Sequence, residues 1–202
     1  MNIASQTYHT TTTANAKEDV ITISGLVKSF GQNIVLNGFS LALQKGESLV
    51  VLGRSGSGKS VLIKCIIGLL KPDAGSIEAL GKDILSLNNE ELNKIRSRIG
   101  FLFQSNALYD SMTIRENLEF SVRRHRDNLS DEEMEKRVIE TLTNVGLANT
   151  VDMMPAELSG GMQKRIALAR TLILNPEIIL YDEPTTGLDP VTGKEISTLI
   201  IE

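Results

Sequence analysis

Gly53-Arg54-Ser55-Gly56-Ser57-Gly58-Lys59-Ser60 fits the pattern G-x-x-x-x-G-K-[ST], and its flanks give the pattern meaning. Ahead of it lies the continuous apolar run Ser48 to Leu52, and behind it Ser60 to Leu70 reads as a helix. A strand buried on both faces that feeds a helix through a glycine-rich turn is the opening of an α/β domain. The glycines let the backbone curl until successive N–H groups converge on phosphate oxygens at the positive end of the helix. In this reading Lys59 reaches the β- and γ-phosphates of a nucleotide and Ser60 places its hydroxyl on Mg²⁺. Gly53 through Gly58 and Val61 line the same site.

Upstream, Val20 to Val27 and Ile34 to Leu43 alternate in polarity, with Phe39, Leu41 and Leu43 on one face. They are expected to be antiparallel strands joined at Gly31 to Asn33. Downstream, Lys71, Pro72 and Asp73 stop the first helix and Ser76 to Leu80 suggests a short strand. Glu90 to Ser97 reads as a short helix and Ile99 to Phe103 as a core strand. Beyond Gln104 the pattern turns helical, first over Thr113 to Arg124. Ser130 and Glu133 then form a capping box ahead of the stripe Met134, Val138, Leu142 and Val145. The strand signal returns at Glu177 to Tyr181. An all-helical subdomain of about 105–163 is therefore inserted in an α/β core of about 20–104 and 164–202, and 1–19, polar with Thr10 to Thr13, reads as a flexible tail.

Two further stretches carry chemistry. Ile178 to Tyr181 is an apolar strand ending in Asp182 and Glu183. Beside a phosphate loop this arrangement suits a Mg²⁺-ordering Asp182 and a Glu183 that orients or deprotonates an attacking water; without one it is a strand meeting solvent. Leu158-Ser159-Gly160-Gly161-Met162 precedes the helical run Gln163 to Leu174, which Asn175-Pro176 stops. Ser159 can be a simple N-cap. A helix start with exposed N–H groups and no bulky side chains is also a second phosphate-binding surface, and both roles can hold. One chain with two phosphate sites and one nucleotide loop implies that the second site serves a neighbouring chain.

The 202 residues, 41% hydrophobic and 23% charged, suit a globular domain with a real core. A net charge of -4 and a pI near 5.4 offer no broad attraction for nucleic acid or an anionic membrane. No nucleic-acid partner is expected. The richest apolar stretch, Val61 to Leu70, is interrupted by Lys64 and falls short of the roughly 18 residues of a spanning helix. Met1 to Asp19 lacks a secretory h-region. The single cysteine, Cys65, reads as a core residue in a reducing compartment.

The phosphate loop, Gln104, Leu158-Ser159-Gly160-Gly161, Asp182-Glu183 and Gly187-Leu188-Asp189 stand in the order of the ABC-type ATPase family, which the chain resembles from about 20 to 202. The resemblance implies an ATP-hydrolysing subunit whose head-to-tail homodimer sandwiches two MgATP. Ser159, Gly160 and Gly161 would contact the partner's nucleotide, Gln104 the Mg²⁺ and the water, and Asp189 the dimer seam. Phe30 matches the aromatic that stacks on adenine, although by itself it could equally be core. The family's switch histidine, on a strand beyond Glu183, has no counterpart in His9 or His125, so the resemblance implies a C-terminally truncated chain with poor turnover.

Gly58 to Pro72, with Val61 where most relatives have threonine, and Phe103 to Thr113 look like the ATPases of bacterial phospholipid transport systems that work with an Mce-domain protein. An integral-membrane permease and a lipid-carrying Mce-domain protein are the partners this implies, with the chain on the cytoplasmic face of the cell membrane. Tyr109 to Thr113 would seat a cytoplasmic helix of the permease, unless Tyr109 and Met112 merely fill the subdomain's own core.

Overall fold

The computed structural model describes residues 18–103, 107–125 and 129–201, which fall into two compact units, Met1–Arg96 and Ser97–Glu202. The first unit is built on a four-stranded sheet of order β2-β1-β3-β4. Strand β1 (Asp19–Phe30) turns at Gly31, where φ is 60°, and returns antiparallel as β2 (Asn33–Gln44), with Leu26 opposite Phe39 and Phe30 opposite Asn33. On its other edge β1 pairs antiparallel with β3 (Ala74–Ala79), which continues into the short β4 (Lys82–Asp83). The alternation read from sequence is realised, with Phe39 buried and Leu41 and Leu43 half-buried between exposed Ser40, Ala42 and Gln44, and Ile21, Ile23, Leu26, Leu36 and Ile77 are also buried. Of the expected tail, 1–17 lie outside the described residues, while Asp19 already opens β1.

Helix α1 (Lys59–Ile66) follows the phosphate loop and buries Leu62, Cys65 and Ile66. It stops short of the expected Leu70 because Gly68 takes the left-handed conformation, φ 65°, so that Leu69 N–H turns back to Lys64 O at 2.8 Å. Leu92 methyls lie within 3.0 Å of where a Gly68 Cβ would sit. Leu92 belongs to α2 (Asn89–Arg96), whose start is capped by Asn88 Oδ1 accepting from the Glu90 and Glu91 N–H groups. From its other end Arg96 donates to Ile67 O and Gly68 O, each at 2.9 Å. The carbonyls left open where α1 ends are thereby satisfied. Burial pushes the Cys65 thiol up, as expected of an unreactive core cysteine.

One expectation fails. Ser48 to Leu52 forms no strand, and Val50 and Leu52 are 57% and 49% exposed. An apolar run states a preference for burial, but a strand needs a neighbour to complete its ladder. The four-stranded sheet runs from β2 to β4 without this segment.

In the second unit β5 (Ile99–Leu102) and β6 (Ile178–Tyr181) pair in parallel, Ile99 opposite Ile178 and Leu102 opposite Tyr181. Arg98 holds Glu177 with a fork of bonds at 2.5 and 2.9 Å where the pair begins. Between these strands come α3 (Ile114–His125), α4 (Asp131–Asn144), two single 3₁₀ turns and α5 (Gly160–Leu172); α6 (Pro190–Ile201) follows β6. Gly100 lets α5 approach the pair, since a Cβ there would lie 2.6 Å from the Thr171 methyl. Ile114, Leu118 and Val122 of α3 meet the expected stripe Met134, Val138, Leu142 and Val145, together with Ile166, Ala169 and Ile173. Helix α3 carries a capping pair that the sequence reading passed over: Thr113 N–H donates to Glu116 Oε2 at 2.7 Å, and Glu116 N–H to Thr113 Oγ1 at 3.2 Å.

The capping box of α4 is complete, with Ser130 N–H donating to Glu133 Oε2 at 2.8 Å and Glu133 N–H to Ser130 Oγ at 3.2 Å. The Ser130 N–H, then its hydroxyl, hold the Glu133 carboxyl below its usual 4.5. A depressed folded-state value means that this contribution is full above the ordinary carboxylate range and is lost as pH falls through the depressed value. Ser130→Ala should cost about 1 kcal/mol at neutral pH and less in acid, as read from thermal unfolding and from amide exchange of residues 131–134.

Candidate nucleotide site

In the first unit the phosphate loop is shaped by two left-handed glycines, Gly56 at φ 75° and Gly58 at φ 104°. Gly58 is constrained twice, because a Cβ there would also lie 2.7 Å from Val35 Cγ1 and 3.2 Å from Val35 O. Ser57 N–H closes the turn on Arg54 O at 3.1 Å. Lys59 folds back over the loop, its ammonium donating to Gly53 O at 3.0 Å and Arg54 O at 3.2 Å. The Ser57 hydroxyl is buried and makes no hydrogen bond within the protein. A loop with a bonded cation, an orphaned buried hydroxyl and no room for side chains at its neck has donors of the kind that phosphate oxygens accept from. Ser60 and Val61, both half-buried, lie in the first turn of α1.

Phe30 ends β1 at 50% exposure, which removes the core alternative. Lys28 stands over its ring with Nζ 5.6 Å from the centroid. Asp73 fixes both neighbours, accepting from Lys28 Nζ at 2.8 Å and from Ser29 N–H at 2.6 Å. By local sequence Asp73 is only a helix stop; its partners lie 44 and 45 positions upstream, beyond any local pattern.

In the second unit Asp182 is buried at 7% exposure just after β6, with its N–H on Leu102 O at 3.1 Å. Glu183 adopts φ 50°, a conformation that a non-glycine residue holds at a cost of about 1–3 kcal/mol. Its carboxylate accepts from Thr186 Oγ1 at 3.1 Å. Gln104 lies outside the described residues.

The element Leu158-Ser159-Gly160-Gly161-Met162 sits at the start of α5, which begins at Gly160, ahead of the expected Gln163. Ser159 is the N-cap, its Oγ accepting from Met162 N–H at 3.3 Å. Gly160 faces open space, whereas a Cβ on Gly161 would meet the Thr192 methyl at 2.6 Å. Asp189 caps α6, its Oδ1 accepting from Val191 N–H and Thr192 N–H, each at 3.1 Å. The structure thus brings Gly161 and Asp189 together through Thr192, a residue that no sequence pattern singled out. The phosphate loop and Phe30 belong to one unit; Asp182, Glu183 and the Ser159 element belong to the other. Gly161→Ala should destabilise the protein by about 1–3 kcal/mol through overpacking on Thr192. Adding Thr192→Ser, which deletes the offending methyl, should recover most of the loss in a double-mutant cycle of thermal unfolding.

Comparison with known proteins places this geometry. A family model described as ABC transporter matches residues 36–186. The chain is 45% identical over 182 residues to the probable ribonucleotide transport ATP-binding protein mkl of Mycobacterium tuberculosis, covering 90% of this chain and 50% of that protein. It is 39% identical over 183 residues to the intermembrane phospholipid transport system ATP-binding protein MlaF of Haemophilus influenzae, covering 91% and 69%. The chain spans about half the length of several curated relatives it matches. Among solved structures, the dimeric bacterial ABC transporter cassette MJ0796 superposes with a TM-score of 0.81 at 36% identity, over 89% of this chain and 81% of that one. The α/β fold with its phosphate loop, its antiparallel sheet and its inserted helices is that of these cassettes, and the chain belongs to the ABC transporter family.

Proposed function

We propose that this chain binds MgATP on its phosphate loop and hydrolyses it as one half of a head-to-tail dimer, driving a membrane permease. The observation that carries the reading is the loop itself: Gly58 left-handed and hemmed in by Val35, Lys59 held on loop carbonyls, and the Ser57 hydroxyl buried without a protein partner. On binding, the Lys59 ammonium exchanges the Gly53 and Arg54 carbonyls for β- and γ-phosphate oxygens. Phe30, half exposed and backed by Lys28, offers a ring face to the base. Ser60 and Asp182 are hard oxygen donors of the kind that Mg²⁺ takes, and the ion would neutralise charge on the phosphates; Gln104 is the third ligand proposed. Glu183 takes a proton from the attacking water. Ser159, Gly160 and Gly161, at the positive end of α5, reach the nucleotide of the second subunit, with Asp189 at the seam.

A related structure, of the ATP-binding cassette MJ0796, is a dimeric post-hydrolysis state bound to ADP and Pi. Cargo is a finer matter. The relatives carry names for phospholipid, ribonucleotide and methionine transport. We favour phospholipid on the segments Gly58 to Pro72 and Phe103 to Thr113, with an Mce-domain lipid carrier as a further partner. No helix among the described residues is long and apolar enough to cross a membrane. The chain would hold to the cytoplasmic face through the permease, whose helix sits on Tyr109 to Thr113. Tyr109 is 41% exposed and Met112 half-buried, and neither belongs to the packed cluster of the helices, which favours a docking seat over a core plug.

Lys59→Ala should raise the ATP dissociation constant by more than about tenfold, measured by titration calorimetry; an unchanged constant would refute the loop assignment. Glu183→Gln should keep ATP affinity while phosphate release stops, and turnover at the wild-type rate would remove Glu183 as the base. Charging the seat with Tyr109→Glu and Met112→Glu should abolish permease pull-down while ATP affinity is kept.

A further inference from the structure

The segment Ala107 to Thr113 is braced from two helices. From α3, Asn117, fully buried, grips it with four hydrogen bonds: Oδ1 accepts from Tyr109 N–H at 2.8 Å, and Nδ2 donates to the carbonyls of Tyr109, Met112 and Thr113 at 3.1, 3.0 and 3.0 Å. From α5, Arg170 reaches across 63 positions of sequence to donate from Nη1 to Ala107 O at 2.5 Å. Its guanidinium carbon lies 5.2 Å from the Tyr109 ring centroid, and the same ring meets Phe120 edge-on at 5.1 Å. Ala107 itself is held at φ 51°, a conformation that must be imposed from outside.

The two braces differ in what they join. Asn117 lies four to eight positions from its partners and fastens the loop to the helix it leads into. Arg170 sits near the end of α5, whose other end is the Ser159-Gly160-Gly161 element. A helix of 13 residues is a rod of roughly 20 Å. Arg170 carries both a rigid fork and a face that stacks on an aromatic ring, and a lysine reproduces only part of that.

We infer that Arg170 is a positioning residue that ties the permease seat to the nucleotide-sensing helix, so that displacement of the start of α5 is carried to Tyr109 as a rigid-body motion. The inference rests on the docking reading given above. When a nucleotide of the second subunit draws on Ser159 and Gly161, the pull passes along α5 to Arg170, and from there to Ala107 O and the Tyr109 ring. Asn117 keeps the seat from deforming in response. Arg170 touches neither nucleotide nor permease in this scheme; it acts through Tyr109.

The test uses the full protein reconstituted with its permease, comparing wild type, Arg170→Met and Arg170→Lys. Arg170→Met keeps the apolar stem and removes the fork and charge. ATP affinity and permease-free turnover should stay within about twofold of wild type, whereas the maximal turnover at saturating permease should fall at least tenfold. Arg170→Lys, which can still donate one bond and place a cation over Tyr109, should recover part of that loss, a rescue that a purely structural role would not couple to permease stimulation. Stimulated turnover that is unchanged, or that falls only in proportion to basal turnover, overturns the inference. Should Arg170→Met fail to fold, Arg170→Lys by itself decides: stimulation equal to wild type at unchanged basal rate overturns the link, and a selective loss of stimulation upholds it. The charged Tyr109 and Met112 pair separates the two readings. If that variant still binds permease, the docking seat is wrong and the link falls with it; if it loses permease while Arg170→Met is stimulated normally, the seat stands and only the link is wrong.

Discussion

The absence of a side chain at Gly58 is the constraint on which the nucleotide site depends. With φ at 104° and Val35 Cγ1 only 2.7 Å from any Cβ, neither the backbone angle nor the space admits another residue. That close approach presses the neck of the loop against β2 and sets where α1 begins. The start of α1 in turn places Lys59 and Ser60 in the first turn of the helix, directly after the loop. A substitution here would move the helix start, and the whole phosphate cradle would move with it.

Three helix starts do double duty in this chain. Ser159 caps α5 while standing beside two small residues, Asp189 caps α6 while packing Thr192 against Gly161, and the neck of the phosphate loop caps α1 with a glycine. The physical reason is shared: a helix start has N–H groups that must be satisfied, and whatever satisfies them is held firmly and close to positive potential. A capping residue is therefore already oriented when an anion arrives. Glu183 is held by a different route, a positive backbone φ and a bond from Thr186.

The helices of the second unit show how rigidity is distributed. Their apolar cluster packs three helices along one stripe each. Polar side chains then fasten the loops to that cluster: Asn117 and Arg170 hold Ala107 to Thr113, while Ile114 and Arg115 N–H groups take the carbonyls of Met153 and Val151. A loop that presents Tyr109 to solvent is thus bonded to the helices behind it.

Much of this was legible in the sequence because it is local. The phosphate loop, the Ser130–Glu133 capping box, the stripe Met134 to Val145 and the strand ending in Asp182 each depend on residues a few positions apart, whose spacing states the helix or strand period directly. The amino-acid order by itself determined the family, the positions of the glycines and the capped start of α4. Tertiary structure decided the rest. Whether Ser48 to Leu52 becomes a strand depends on a neighbour that its own composition cannot supply. The partners of Asp73, Gly161 and Arg170 lie 44, about 31 and 63 positions away, where no periodicity reaches and only the path of the folded chain chooses which side chains meet.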